Sequence, residues 1–207
     1  MSLRTYLLIF ATLAFSAIAF ADPQDNGYQM KYFSNLNVGD SVINISNDGN
    51  LQTGITASGN NGSICVNVYA FAPDEQLVSC CACPVTPNGL ASLSVTNDLT
   101  SNVLTPAVPT SITVKLIVTD ASSVSVCNAA APGTVVNAGP VAWGTTLHAA
   151  PTTPVSYMVT ETPFTPYTPG HNELSGQVQD CFFVQRLGSG FGICKSCRLG
   201  GLGADHQ

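Results

Sequence analysis

The sequence carries very little charge. Lys, Arg, Asp and Glu make up 9% of its 207 residues, against about 25% in a typical soluble domain. Only six residues are Lys or Arg, and the formal net charge is −6. An acidic chain with so few cations lacks the groups that attract nucleic acid or an anionic membrane surface. We therefore expect neither partner. Ser, Thr, Asn, Gly and Pro supply the polarity instead, a composition that favours sheets and turns outside the cell.

Long apolar runs are missing after the first twenty residues. Arg4 precedes an apolar stretch over 6–20, and Ala19 and Ala21 occupy the small-residue positions of a cleavage site. The stretch is shorter than the roughly 20 apolar residues of a membrane anchor, although an uncleaved anchor is the alternative interpretation. The pattern predicts a secretory signal peptide over 1–21 and a mature chain that begins at Asp22 without a membrane span. We expect it to be secreted, in the extracellular space or the periplasm.

Cysteine is absent from the predicted signal peptide, and all eight cysteines lie in the mature chain. An even number in an exported chain predicts four disulfides. Extended backbone would turn Cys80 and Cys81 to opposite faces, so each is expected to pair elsewhere. Spacing places Cys65 near the 80–83 cluster and Cys181 near the C-x-x-C pair at 194–197. The predicted disulfide residues are Cys65, Cys80, Cys81, Cys83, Cys127, Cys181, Cys194 and Cys197.

Two other chemistries fit the same cysteines. C-C-x-C at 80–83 together with C-K-S-C at 194–197 resembles a zinc or iron–sulfur ligand set. Lys195 and Arg198 would also favour the thiolate of a redox-active Cys194–Cys197 pair. However, only one C-x-x-C pair is present, and a Gly-rich run follows it where a thioredoxin-like site has a helix. We therefore favour structural disulfides, with no metal and no cofactor.

From Leu36 to about Thr119 the hydrophobic pattern has period two, interrupted by turn signals such as Asn47-Asp48-Gly49. Short strands at this spacing, with no helical pattern between them, predict a mainly β fold, an immunoglobulin-like β-sandwich. The one helical pattern covers 172–187, with Leu174, Val178, Cys181 and Phe182 forming an apolar stripe. The expected organisation is a signal peptide (1–21), a lead-in (22–35), a sandwich with Pro-, Thr- and Ala-rich edge strands (36–170), and a C-terminal helix and Cys-containing tail packed on the sandwich (171–207).

Catalytic patterns are missing from the sequence. No histidine has a second ligand at strand or helix spacing, carboxylates are scattered, and no nucleophile lies in a G-x-S-x-G turn. We predict no catalytic residue and no metal ligand. Trp143, Tyr157 and Tyr167 are candidates for stacking on a ligand, and Asn44 and Asn61 begin matches to the glycosylation pattern.

Several segments carry a resemblance. They include Cys80-Cys81-Ala82-Cys83, Ala142-Trp143-Gly144-Thr145-Thr146-Leu147-His148 and Gly192-Ile193-Cys194-Lys195-Ser196-Cys197-Arg198. With these segments the chain resembles uncharacterised exported proteins of environmental bacteria that have a C-C-x-C cluster and a C-terminal G-I-C-K-S-C-R-like segment. The resemblance spans most of the mature chain and implies export, but it implies no activity.

Three functions remain open from the sequence. The favoured one is an exported non-enzymatic structural, adhesive, cell-envelope or matrix protein, whose partners would be envelope or matrix components. The second is a carbohydrate-binding or carbohydrate-processing extracellular protein. The third is a thiol-redox or metal-binding protein that uses the C-terminal C-x-x-C pair.

Overall fold

The computed structural model describes residues 27–49, 51, 62–101, 107–121, 127–137, 140–150, 154, 156–187 and 197–199. Within these ranges, ten strands form two antiparallel five-stranded sheets, and one α-helix is present. No helix among these residues is both long enough and apolar enough to cross a membrane. The predicted signal peptide, Asn61 and Cys194 lie outside the described residues.

Sheet A has the strand order β4-β3-β6-β1-β9. Its long central pairing joins β3 and β6, from Ile64 opposite Asp120 to Phe71 opposite Thr113. Its strands are β1 (Tyr28–Phe33), β3 (Ile64–Phe71), β4 (Leu77–Val85), β6 (Ile112–Asp120) and β9 (Thr165–Pro166).

Sheet B has the order β10-β5-β2-β7-β8. A single helical turn, Val95–Thr100, follows β5. The central strand β2 pairs with β5 on one side and with β7 on the other. The strands of sheet B are β2 (Val42–Asn47), β5 (Leu90–Ser94), β7 (Pro140–Ala150), β8 (Ser156–Pro163) and β10 (Arg198–Leu199).

The two sheets share one core. Alternate residues of a strand point to the same face, and on β2 the inward pair Ile43 and Ile45 is fully buried. They pack in one cluster with Leu93 of sheet B and with Val114 and Leu116 of sheet A. A core built from the facing sides of two sheets defines a β-sandwich, so the predicted mainly β sandwich is confirmed.

Helix α1 (Glu173–Leu187) covers the other face of sheet A. Its Cys181 is buried in a second cluster with Tyr69 of β3 and Ile117 of β6. The helix was predicted almost residue for residue, but its inward stripe was not: Phe182 is 49% exposed, whereas the polar Gln177 is buried. A position one residue beyond Cys181 is rotated by about 100°, which turns Phe182 away from the sheet.

The strand β1 corrects the expected organisation of the N-terminal part. Residues 28–33 were expected as part of a lead-in, yet they pair along their whole length with β6 and in part with β9. The segment reads Y-Q-M-K-Y-F, so its aromatic residues suit a strand, and the lead-in interpretation overlooked that signal.

Disulfides join the three layers. Cys80 of β4 is bonded to Cys181 of the helix, and Cys83 of β4 is bonded to Cys197 beside β10. The first bridge ties the helix to sheet A, and the second ties sheet A to the outermost strand of sheet B. Cys81 is also disulfide-bonded.

The observed pairings differ from the two that spacing suggested. Cys65 is bonded to Cys127, not to the 80–83 cluster, and Cys181 is bonded to Cys80, not to the 194–197 pair. Cys80 faces the helix side while Cys81 packs against the core between the sheets. The prediction that these neighbours point to opposite faces and pair elsewhere is therefore confirmed.

Candidate functional site

The feature of the described surface that stands out is the edge strand β8. It pairs on one side with β7 and lies at the end of sheet B. All eight of its side chains, from Ser156 to Pro163, are exposed. We call this strand the β8 edge. Among the described residues no strand pairs with its outer side, and an edge of this kind is a template for adding a strand.

Other sheet edges within the described residues are short or covered. The edge of sheet A at β4 packs against helix α1, while β9 and β10, at the remaining edges, are two residues long each. Natural edge strands are usually protected by brevity, by a covering element, by lysine or by an internal proline. Within the described part of the chain the β8 edge has no covering element, and its sequence, S-Y-M-V-T-E-T-P, has no lysine, one charged residue (Glu161) and proline only at its end.

Three consecutive apolar residues lie on this edge. Tyr157, Met158 and Val159 are 60%, 59% and 61% exposed. Neighbouring residues of a strand point to opposite faces, so the edge is apolar and exposed on both faces at once. Single exposed apolar residues are ordinary, but a contiguous exposed set marks a contact surface.

The β8 edge is held firmly to the rest of the sandwich. The ring of His148 on β7 has a hydrogen-bond partner at each nitrogen. Its Nδ1 lies 3.2 Å from the side-chain amide of Asn35, and its Nε2 lies 2.8 Å from the hydroxyl of Thr160. Lys31 of sheet A donates a hydrogen bond from its ammonium group to the hydroxyl of Thr162. These hydrogen bonds hold the β8 edge in its extended conformation on the surface of the sandwich.

An open cleft of about 580 Å³ lies at the base of the edge, lined by Met30, Lys31, Tyr32, Thr162, Pro163 and Thr165. Burial lowers the pKa of Lys31, and the ammonium also lies 5.6 Å from the centre of the Phe33 ring. The exposed Tyr32 ring extends the apolar surface of β8 towards sheet A. The cleft therefore adds an apolar and aromatic border to the β8 edge.

The three predicted stacking residues do not form one platform. Trp143 lies on the outer face of sheet B, because its neighbours Ala142 and Gly144 are both buried on the core side. Tyr157 lies opposite Ala149, six residues further along β7, which is about 20 Å away at strand spacing. Tyr167 lies elsewhere, with its ring edge-on to Tyr28 and 5.3 Å from the Lys115 ammonium.

Trp143 has polar neighbours on its face. Asn44 of β2 lies directly opposite it and accepts a 2.6 Å hydrogen bond from the Ser92 hydroxyl of β5. Of the three aromatic candidates, Trp143 is thus the one beside polar side chains on an outer sheet face. Asn44, which begins a possible glycosylation pattern, is partly buried in the middle of this sheet.

A second candidate site is a cluster of three cysteine sulfur atoms. The Sγ atoms of Cys81, Cys83 and Cys197 all lie within 4.8 Å of one another. In the structure Cys83 and Cys197 are bonded to each other and Cys81 is bonded as well. None of the three therefore offers a thiolate in this oxidised form, and thiolate is the species that binds metals or attacks disulfides.

Two sheets cross-linked by disulfides, a covering helix and an unprotected edge strand define a disulfide-stapled β-sandwich. Comparison of the chain with models of protein families, with curated proteins and with solved structures finds no match.

Sequence reasoning predicted an extended segment around β8 but did not single out Met158 and Val159 as site residues. The signal available in the sequence was the uninterrupted Tyr-Met-Val run, which is followed by the polar residues Thr, Glu and Thr. That pattern equally suits a strand buried on both faces. The exposure of the run is decided by where the strand lies in the sheet, which the sequence pattern does not reveal.

Proposed function

We propose that this protein is an exported, non-enzymatic structural or adhesive module of the cell envelope or extracellular matrix. The single observation that carries the proposal is the β8 edge, an exposed and unprotected strand with three consecutive apolar side chains. Unprotected edges recruit other molecules by strand addition. An edge of this kind suits a molecule whose role is to make contacts.

Three further features support export and a mechanical role. The apolar stretch over 6–20 precedes small residues typical of a signal cleavage site. All cysteines among the described residues are disulfide-bonded, as expected in an oxidising compartment. The bridges at Cys80 and Cys83 link helix, sheet A and sheet B, so a pull on one layer is transmitted covalently to the others.

The test measures retention on insoluble cell-envelope fragments. Purified protein with intact disulfides is mixed with insoluble cell-envelope fragments that keep their proteins, because strand addition requires a peptide partner, and the fragments are then sedimented. We expect retention of the native protein, and at least a fivefold loss of the retained fraction in the double variant Tyr157→Ser, Val159→Ser. Leu187→Ser is the matched control, because Leu187 is an exposed apolar residue, at 71%, on the helix that covers the outer face of sheet A. Absence of retention, or turnover in a panel of hydrolase and redox substrates, would contradict the proposal.

A second candidate function is carbohydrate binding on the outer face of sheet B. The observation that favours it is the position of Trp143, outward-facing and beside the partly buried Asn44, since sugar rings stack on aromatic faces while side-chain amides bind their hydroxyl groups. A glycan array tests it, with Trp143→Ala expected to lose the signal. Binding that survives Trp143→Ala would remove this candidate.

A further inference from the structure

We propose that the partner of the β8 edge is the β8 edge of a second copy, paired antiparallel about a twofold axis at Met158. The two molecules would then share one continuous ten-stranded sheet. This inference rests on the proposed function, because it names the partner of the same strand.

The distribution of side chains on β8 is complementary to itself in this register. A twofold axis at Met158 places Met158 opposite Met158, and Tyr157 of each copy opposite Val159 of the other. The two Met158 side chains then meet on one face of the shared sheet and the two Tyr157–Val159 pairs on the other, so each apolar side chain that is exposed in the monomer has an apolar partner. Aromatic and β-branched residues directly opposite each other on one face are a favourable cross-strand pair.

Charge permits the same register. The β8 edge carries one charged residue, Glu161. Pairing about Met158 separates the two Glu161 residues by six strand positions, about 20 Å. That separation exceeds the Debye length of about 8 Å at physiological ionic strength, so the two carboxylates do not oppose pairing. A register centred on Glu161 itself would bring them together and is disfavoured.

The area indicates how strong the pairing is. The exposed parts of Tyr157, Met158 and Val159 amount to roughly 400 Å² per copy, about half of the ~800 Å² per partner in a standard-size interface. Pairing of the backbone adds hydrogen bonds to this apolar contact. We therefore expect a dimer with a dissociation constant on the order of 10–100 µM, weaker than standard-size complexes. Such weak pairing becomes effective when many copies are held together on a surface.

Charged substitutions at Met158, on the twofold axis, test the pairing directly. Sedimentation velocity of the full-length mature protein, from about 5 to 500 µM, is expected to show a shift from monomer to dimer. Met158→Lys and Met158→Glu each place two like charges directly opposite each other, which is destabilising in a sheet. Each variant alone is expected to stay monomeric, with association weakened at least tenfold. An equimolar mixture of the two is expected to dimerise again, because lysine then faces glutamate.

The controls separate folding from pairing. Met158 is exposed in the monomer, so both variants should keep the far-UV circular dichroism and the disulfide-bonded mass of the native protein. Leu187→Lys introduces the same charge at an exposed position of the helix on the outer face of sheet A and should dimerise like the native protein.

The outcomes also separate this inference from the proposed function. A native protein that stays monomeric at 500 µM, a dimer that survives Met158→Lys, or a mixture that fails to dimerise overturns the pairing. If the protein is nevertheless retained on envelope fragments as a monomer, the proposed function stands without it. Dimerisation through Met158 in a protein that the fragments do not retain would support the pairing and overturn the adhesive role.

Discussion

At the scale of single residues, Tyr69 joins sheet A to the segment that follows Cys127. Its side chain is fully buried, and its hydroxyl donates a 2.7 Å hydrogen bond to the backbone carbonyl of Ala129. Burial raises the pKa of Tyr69 well above its usual range, so the hydroxyl remains a donor at all physiological pH values.

Tyr69→Phe removes the donor and leaves the buried carbonyl of Ala129 without this partner. We expect a loss of about 1–2 kcal/mol in the free energy of unfolding, measured by urea denaturation with the disulfides intact. Tyr32→Phe, at a tyrosine that is 61% exposed, is the control and should change stability by less than about 0.5 kcal/mol. Equal losses in the two variants would show that the buried hydrogen bond is not responsible.

Glu173 of the helix makes a contribution to the free energy of unfolding that depends on pH. Burial alone would raise the pKa of Glu173, but hydrogen bonds from the Lys115 ammonium at 2.6 Å and from the Gly170 backbone N–H at 2.9 Å hold it below its usual value. A carboxyl whose pKa is lowered by folding stabilises the fold above its unfolded pKa of about 4.3, and that contribution is lost as the pH falls through the lower folded pKa.

Glu173→Gln should therefore cost stability at neutral pH but not in acid. We expect a loss of about 0.5–1 kcal/mol at pH 6, shrinking towards zero as the pH is lowered below 4, in urea unfolding curves. Asp180→Asn, at an exposed helix carboxylate, is the matched control and should show no such trend. A cost of Glu173→Gln that does not change between pH 6 and pH 3 would contradict the ion pair as its origin.

At the scale of elements, two glycines distinguish the closely packed sheets from the open helix face. A Cβ atom added to Gly144 of β7 would lie 2.5 Å from Lys31 Cε and 2.6 Å from Phe33 Cε1 of the facing sheet. Around Gly176 of the helix, an added Cβ would meet nothing within 4 Å.

The same substitution is thus expected to have opposite effects at the two positions. Gly144→Ala should destabilise by about 1–3 kcal/mol, because the sheets must move apart to accept the methyl group. Gly176→Ala should stabilise by about 0.5–1 kcal/mol through helix propensity. Thermal and urea unfolding of the two variants measure both changes. A neutral Gly144→Ala would mean that the sheets are less closely packed than the structure has them.

The elements themselves were predicted unevenly. Alternation was sufficient for β6, where Ile112, Val114 and Leu116 share the buried face. In β1, Y-Q-M-K-Y-F, apolar and polar residues also alternate, but burial is inverted there, because Gln29 is buried whereas Tyr32 is exposed. The inward stripe of the helix failed in the same way, because the polar Gln177 is buried and donates a 2.8 Å hydrogen bond to Glu173 of the same helix.

At the scale of the whole molecule, the disulfides define how the layers are connected. Peptide mapping of the unreduced native protein is expected to find the pairs Cys65–Cys127, Cys80–Cys181 and Cys83–Cys197. The sequence contains eight cysteines, so we expect Cys81 to be recovered with the remaining one, Cys194. Mass spectrometry under native conditions should show the loss of eight hydrogens relative to the reduced chain, as four disulfides require.

The mapping also tests the alternative use of the sulfur cluster. Because Cys81, Cys83 and Cys197 lie within 4.8 Å of one another, a reduced form would bring three thiols together as a ligand set for a soft metal ion. Recovery of zinc with the native protein, together with alkylation of these cysteines without prior reduction, would overturn the disulfide assignment and favour the third function.

The candidate site was only partly accessible from sequence. Trp143, Tyr157 and Tyr167 were grouped because they are aromatic, but sheet register separates the first two by about 20 Å, and Tyr167 packs against Tyr28. Met158, on which the proposed pairing centres, carries no motif. Its importance comes from lying in a strand at the end of sheet B as the described residues form it.

Composition, alternation and cysteine content by themselves determined that the chain forms a mainly β sandwich with a C-terminal helix and oxidised cysteines, since these properties depend on local periodicity and on compartment. Tertiary structure alone decided which cysteines meet, which strands pair with which and which apolar residues stay exposed. Those outcomes depend on contacts between residues far apart in the chain, such as Cys80 and Cys181, and no local pattern encodes which distant segment will become a strand's neighbour.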